Sequence, residues 1–98
     1  MMPDFSLVIK VVTPEEVFYE GPTTSVVAPG TVGYLGVLKN HAPLVTTLSK
    51  GNLTFKSGEG SVKSFKIEGG FLEVFKNRVL VLTDKITKEI PSEKILGS

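Results

Sequence analysis

The sequence predicts an all-β protein, a flattened two-sheet β-sandwich or barrel of about ten short strands. Runs rich in β-branched and aromatic residues alternate apolar with polar positions. Turn-forming clusters punctuate them about every 8–12 residues, the spacing of a sandwich or barrel. Up to residue 84, glycine, proline or β-branched residues interrupt every window that could sustain a helical period.

The first run, FSLVIKVV (5–12), puts Phe5, Leu7, Ile9 and Val11 on one face and Ser6 and Lys10 on the other. TTSVVA (23–28) lies between Gly21-Pro22 and Pro29-Gly30, which mark its ends, and LVTTL (44–48) follows Pro43. NLTFK (52–56) and SVKSFKI (61–67) flank SGEG, whose glycines supply positive φ for a hairpin turn. FLEVF (71–75) and RVLVL (78–82) are joined by Lys76-Asn77, a tight hairpin with asparagine able to take the left-handed conformation. Residues 1–90 thus read as one β-sandwich domain. Residues 91–98 read as a short tail, with a turn of helix starting near Pro91.

Ninety-eight residues suit a single domain with a modest core. Eleven basic residues against ten acidic ones leave a net charge of +1, too balanced to point to nucleic acid. With no cysteine, thiolate catalysis and sulfur-bound metal are excluded. The N-terminal MMPDFSLVIK has no basic leader and does not read as a signal peptide. The densest apolar run, VLVL (79–82), is far short of the roughly 18–20 residues of a helical membrane span.

Chemistry-bearing residues are sparse. His41, the single histidine, lacks a second His or Cys for a metal site, and no ordered nucleophile accompanies it. It reads as a structural residue whose ring bonds loop backbone before Pro43. Gly30, Gly33 and Gly36 recur every three residues, but no helix follows to complete a phosphate loop. They read instead as turn glycines that display Val32, Tyr34 and Leu35, which suits a protein–protein contact. The phenylalanines at positions 5, 18, 55, 65, 71 and 75 lie at strand spacing and read mostly as core. No catalytic, cofactor-binding or metal-binding set is assigned.

VVTPEEVFYEGP, then VVAPGTVGYLGVLKNHAPLVTTL, then Gly-Gly followed by FLEVFKNRVLVLTD together resemble the epsilon subunit of F-type ATP synthases. That family carries a glycine-acid-leucine-glycine loop leading to His-Ala-Pro, and later a Gly-Gly-x-x-Glu-Val segment. The matching residues are Gly33, Leu35, Gly36, His41, Ala42, Pro43 and Leu44, then Gly69, Gly70, Glu73 and Val74, within a likeness spanning about residues 5–90. The resemblance implies a non-catalytic rotor part of the central stalk that binds the gamma subunit and the polar loops of the membrane c-ring. It would couple ion flow to ATP synthesis and meet the membrane only through partner subunits. Its place would be the cytoplasmic face of the bacterial inner membrane, with the chloroplast stroma as the alternative.

Carried over by position, the c-ring contact falls on Thr31, Val32, Gly33, Tyr34 and Leu35. The gamma contact falls on Thr13, His41, Leu44, Thr46, Glu68 and Glu73, and Gly30, Gly36, Pro43, Gly69 and Gly70 shape the loops. Two departures stand out: Tyr34 replaces the usual loop acid, and Lys39-Asn40 replaces the common proline-glycine. The family's C-terminal helical hairpin is not matched, so neither self-inhibition nor ATP sensing is implied. A small carbohydrate- or peptide-binding sandwich is the alternative reading of the residues.

Overall fold

A computed structural model describes residues 7–58 and 60–90. Phe5, the tail at 91–98 and its helical turn lie outside the described residues. Seven strands run in order: β1 (Leu7–Val12), β2 (Val17–Gly30), β3 (Gly33–Val37), β4 (Leu44–Ser57), β5 (Val62–Phe75), β6 (Arg78–Leu82) and β7 (Ile86–Ile90). They follow the order β1-β6-β5-β4-β2-β3, with β7 on β5 and β1 also pairing β2, which closes the sheet on itself. β1 lies parallel to β6 and antiparallel to β2. The predicted class, an all-β sandwich, is the observed one. The strand count resolves simply, because β2, β4 and β5 are each 14 residues long and bend so that one strand serves both layers.

The bends explain where the sequence boundaries fell. Gly21-Pro22 does not begin a strand but lies within β2. The Val8 N–H donates to the Asn77 carbonyl at 3.0 Å, away from β2, so Val8 and Pro22 form a pair without mutual hydrogen bonds. The ring nitrogen of Pro22 therefore faces beyond the last β2–β4 pair, Thr23–Ser57, where no ladder donor is required. One step on, the buried Thr23 hydroxyl donates to the Lys56 carbonyl at 2.6 Å and accepts the Ser25 N–H at 3.3 Å, tying down the irregular register.

β5 turns at Gly69-Gly70, both with positive φ (102° and 137°). Before the turn it pairs β7; after it, β6. The alternation slips by one residue there, with Phe65 and Ile67 inward before the turn and Leu72 and Val74 inward after it. The Thr83 hydroxyl, in the connection that follows β6, donates to the Gly69 carbonyl at 2.6 Å and holds the corner. Thr83→Val keeps the shape and orphans that carbonyl, so unfolding should show a loss of about 1–3 kcal/mol by urea titration.

The core is continuous: Leu7, Ile9 and Val11 of β1 meet Leu53 and Phe55 of β4, Phe65, Ile67, Leu72 and Val74 of β5, and Val79 and Val81 of β6. Phe55 and Phe65 fulfil the expected core role, their rings tilted by 31° with centroids 6.0 Å apart. Phe18, Phe71 and Phe75 do not. Phe71 and Phe75 are 55% and 51% exposed because the register after Gly70 turns positions 71, 73 and 75 outward. β4 and β5 pair as a hairpin on either side of SGEG, up to Lys56–Val62, and the Lys76-Asn77 hairpin forms as predicted, with both residues left-handed (φ 49° and 62°).

Candidate functional site: one sheet face and one hairpin tip

The outer face of β1-β6-β5-β4 forms three rows that follow directly from the register. Val12, Leu82, Phe71 and Thr47 form one; Lys10, Leu80, Glu73 and Val45 the next; Val8, Arg78 and Phe75 the third. Val45 is 71% exposed, and Leu82 is exposed with the two phenylalanines. A groove of about 280 Å³ lies between Val45, Phe71, Leu80 and Leu82. The charged residues are few: Glu73 in the middle, Lys10 and Arg78 toward one edge. So many large apolar side chains on one outward sheet face mark a contact surface.

At the Thr47 end of this face stands the β2–β3 hairpin. Thr31 and Val32 are its two-residue connection, between the paired Gly30 and Gly33. The Thr31 N–H donates to the Thr47 carbonyl at 3.2 Å, and the two threonine hydroxyls lie 3.0 Å apart, joining tip to face. Gly30 cannot carry a side chain, because a Cβ would lie 2.7 Å from the Gly33 carbonyl oxygen. Val32 is 99% exposed, while Leu35 is half-buried against the core. Gly36 sits within β3 with open space at its Cβ position, 4.0 Å from the nearest carbonyl, so the hairpin's shape does not depend on it.

Tyr34 is 58% exposed yet tethered within the fold: its hydroxyl accepts the Asn52 N–H at 3.0 Å. β3 ends at Val37, and the chain turns through Lys39-Asn40, with Asn40 left-handed at φ 68°. The Asn40 N–H donates to Asn77 Oδ1 at 2.6 Å, and Asn77 Nδ2 returns a bond to Asn40 Oδ1 at 3.3 Å. These side-chain bonds anchor the loop in a chain that lacks the family's proline-glycine. His41 Nδ1 donates to the Ala42 carbonyl at 2.7 Å, the loop-backbone bond expected of a structural histidine, and Pro43 leads into β4.

The six residues assigned to gamma are dispersed. Glu73 is central on the apolar face. Thr13 caps the β1–β2 turn, where its N–H donates to the Glu16 carbonyl at 2.9 Å, near the Phe71–Leu82 row. His41 lies at the other end, beyond Val37. Leu44 and Thr46 take the inward register opposite Val74 and Leu72. Glu68 lies beyond the Gly69-Gly70 corner, 3.6 Å from the Lys50 ammonium. The sequence reading missed Val45, Phe71, Phe75 and Leu82. Their signal was FLEVF itself, where both alternating faces are apolar but the 71–73–75 face also carries an acid and must therefore be the outward one. Among the described residues, no three His, Asp or Glu side chains gather to hold a metal ion.

Residues 6–89 match the family described as the ATP synthase, Delta/Epsilon chain, beta-sandwich domain. An ATP synthase epsilon chain of Leptospira borgpetersenii is 47% identical over 76 residues, 78% of this chain and 59% of that protein. One from Chlorobium limicola is 39% identical over 84 residues, 86% of this chain and 96% of that protein. The chain spans about three-fifths of the Leptospira relatives' length. A chain in the Euglena gracilis mitochondrial ATP synthase OSCP/F1/c-ring structure superposes with a TM-score of 0.79 at 24% identity, covering 98% of this chain and 62% of that one. A chain of the Tetrahymena thermophila ATP synthase central stalk and c-ring gives 0.72 at 13% identity, covering 90% and 69%. Those two likenesses establish the fold, and the sequence match establishes descent: the chain belongs to the ATP synthase delta/epsilon family, as its β-sandwich domain.

Proposed function

We propose that the chain is a non-catalytic coupling part of the central stalk of an F-type ATP synthase, seated on gamma by the apolar sheet face and on the polar loops of the c-ring by the β2–β3 tip. The observation that carries this reading is the face itself, with Val45, Phe71, Phe75 and Leu82 turned outward on a domain of this family. Water contact over such a patch is costly, and a partner that buries it gains roughly 25 cal/mol per Å² of apolar area, less the costs of association. Its continuity with the tip through Thr31 and Thr47 suits a part that must touch two neighbours at once. The face's few charges suit a permanent contact, and membrane association would come through the partners, on the cytoplasmic face of a bacterial inner membrane. ATP chemistry belongs to other subunits in this reading.

The absence of cysteine makes the test direct, since Phe71→Cys or Val32→Cys each introduces the chain's single thiol. Each variant is labelled with a photoactivatable maleimide, reassembled into the complex and illuminated. Adducts to gamma from position 71 and to the c subunit from position 32 are expected. Exchanged adducts, or none from an assembled complex, would overturn the assignment.

A further inference from the structure

Tyr34 stands where the family's loop acid would reach the partner, yet its hydroxyl is already engaged within the fold. Between the Val27–Thr54 and Gly30–Leu48 pairs, β2 advances three residues while β4 advances six, so the β2–β4 ladder is broken beside the hairpin. Tyr34, opposite Pro29 in the β3–β2 register, spans β2 and places its hydroxyl on the Asn52 N–H inside that break. Gly51 leaves the room: a Cβ there would lie 2.8 Å from the Tyr34 hydroxyl and 2.7 Å from Pro29 Cβ. Ser49 donates to the Pro29 carbonyl at 3.3 Å from the same segment. At the end of this braced hairpin, Val32 is almost wholly exposed.

We propose that Tyr34 is a positioning residue, a strap from β3 across β2 to β4 that fixes the direction of the hairpin, and that Val32 is the side chain that meets the partner. In its choice of partner, the polar c-ring loops, this rests on the function proposed above; the strap itself does not. An apolar tip on a braced hairpin then takes the place of the missing carboxylate, so the contact should depend little on ionic strength.

Tyr34→Phe keeps the ring and removes only the bond. In the isolated full chain, the Asn52 amide should exchange with solvent about fivefold faster or more, with β1 and β6 amides unchanged. Gly51→Ala, which crowds the hydroxyl out, should give the same local pattern. In the assembled complex, labelled Val32→Cys should cross-link to the c subunit, several-fold less in a Tyr34→Phe background, while labelled Tyr34→Cys cross-links weakly. Unchanged Asn52 exchange in Tyr34→Phe, or stronger cross-linking from position 34 than from 32, would overturn the strap. No c-subunit adduct from either position, with Asn52 exchange raised, would instead sink the partner assignment and leave the strap standing.

Discussion

Gly70→Ala should cost the fold about 2–6 kcal/mol and lower its melting temperature by roughly 10 °C or more. Two penalties coincide there. Gly70 has φ 137°, a region closed to side-chain-bearing residues, and the added Cβ would overlap the Leu82 carbonyl oxygen and come within 2.9 Å of Thr83 Cα. The obstacles are backbone atoms of the neighbouring strand, so no rotamer change relieves the clash. Either β5 and β6 separate, losing the Phe71–Leu82 pairing, or the corner opens and Thr83 loses Gly69. Strain and overpacking of this kind cost about 1–3 kcal/mol each, and a domain of this size has roughly 5–15 kcal/mol in total. Circular dichroism and thermal melting would decide it: a cooperative transition within a few degrees of the parent would refute the account. Gly36→Ala is the control, since β3 has room for its Cβ, and should melt close to the parent.

The corner at Gly70 also shows what the sequence could and could not convey. Alternation in β1 and the two hairpins was legible because each rests on local chemistry: side chains repeat every second residue, and Lys76-Asn77 forms the turn that two-residue hairpins require. What escaped was long-range. The break at Gly21-Pro22 looked like a boundary, but Pro22 is tolerated because its nitrogen faces past the end of β4, a fact about a strand 35 residues away. The β3 strand was hidden among turn residues. LVTTL and NLTFK looked separate because the extra residues of β4 interrupt the alternation at 49–51, and it is Tyr34 on β3 that fills the resulting gap. For the site, the family's loop motif pointed to the hairpin, and the structure distinguishes within it an exposed Val32 from a tethered Tyr34. Phe71 and Phe75 were read as core on strand spacing alone; Glu73 on their face was the one local sign that it points outward, and the slip at Gly69-Gly70 is what turns it there.

That outward turn separates stability from assembly, and two phenylalanines of opposite environment should show it. Phe55→Ala empties a buried site flanked by Tyr19 and Phe65 and should cost about 3–5 kcal/mol of folding stability. Phe71→Ala removes a ring that is more than half exposed and pairs across to Leu82, so the isolated chain should lose about 1 kcal/mol or less. On the proposed function, binding to gamma reverses the order. Phe71 lies beside the groove formed with Val45, Leu80 and Leu82, where an aromatic anchor is worth about 2–4 kcal/mol, or roughly 30- to 1,000-fold in affinity. Calorimetric titration of each folded variant into purified gamma supplies the measurement, with melting temperatures taken on the same samples. Weak binding by Phe71→Ala, with a melting temperature lowered by no more than about 4–8 °C, is the expected result. Full-strength binding by that variant would remove the β5–β6 face from the contact and require gamma to be held elsewhere on the sandwich. The effect should deepen with Phe71→Ala/Phe75→Ala, because both rings project from one strand onto the same face.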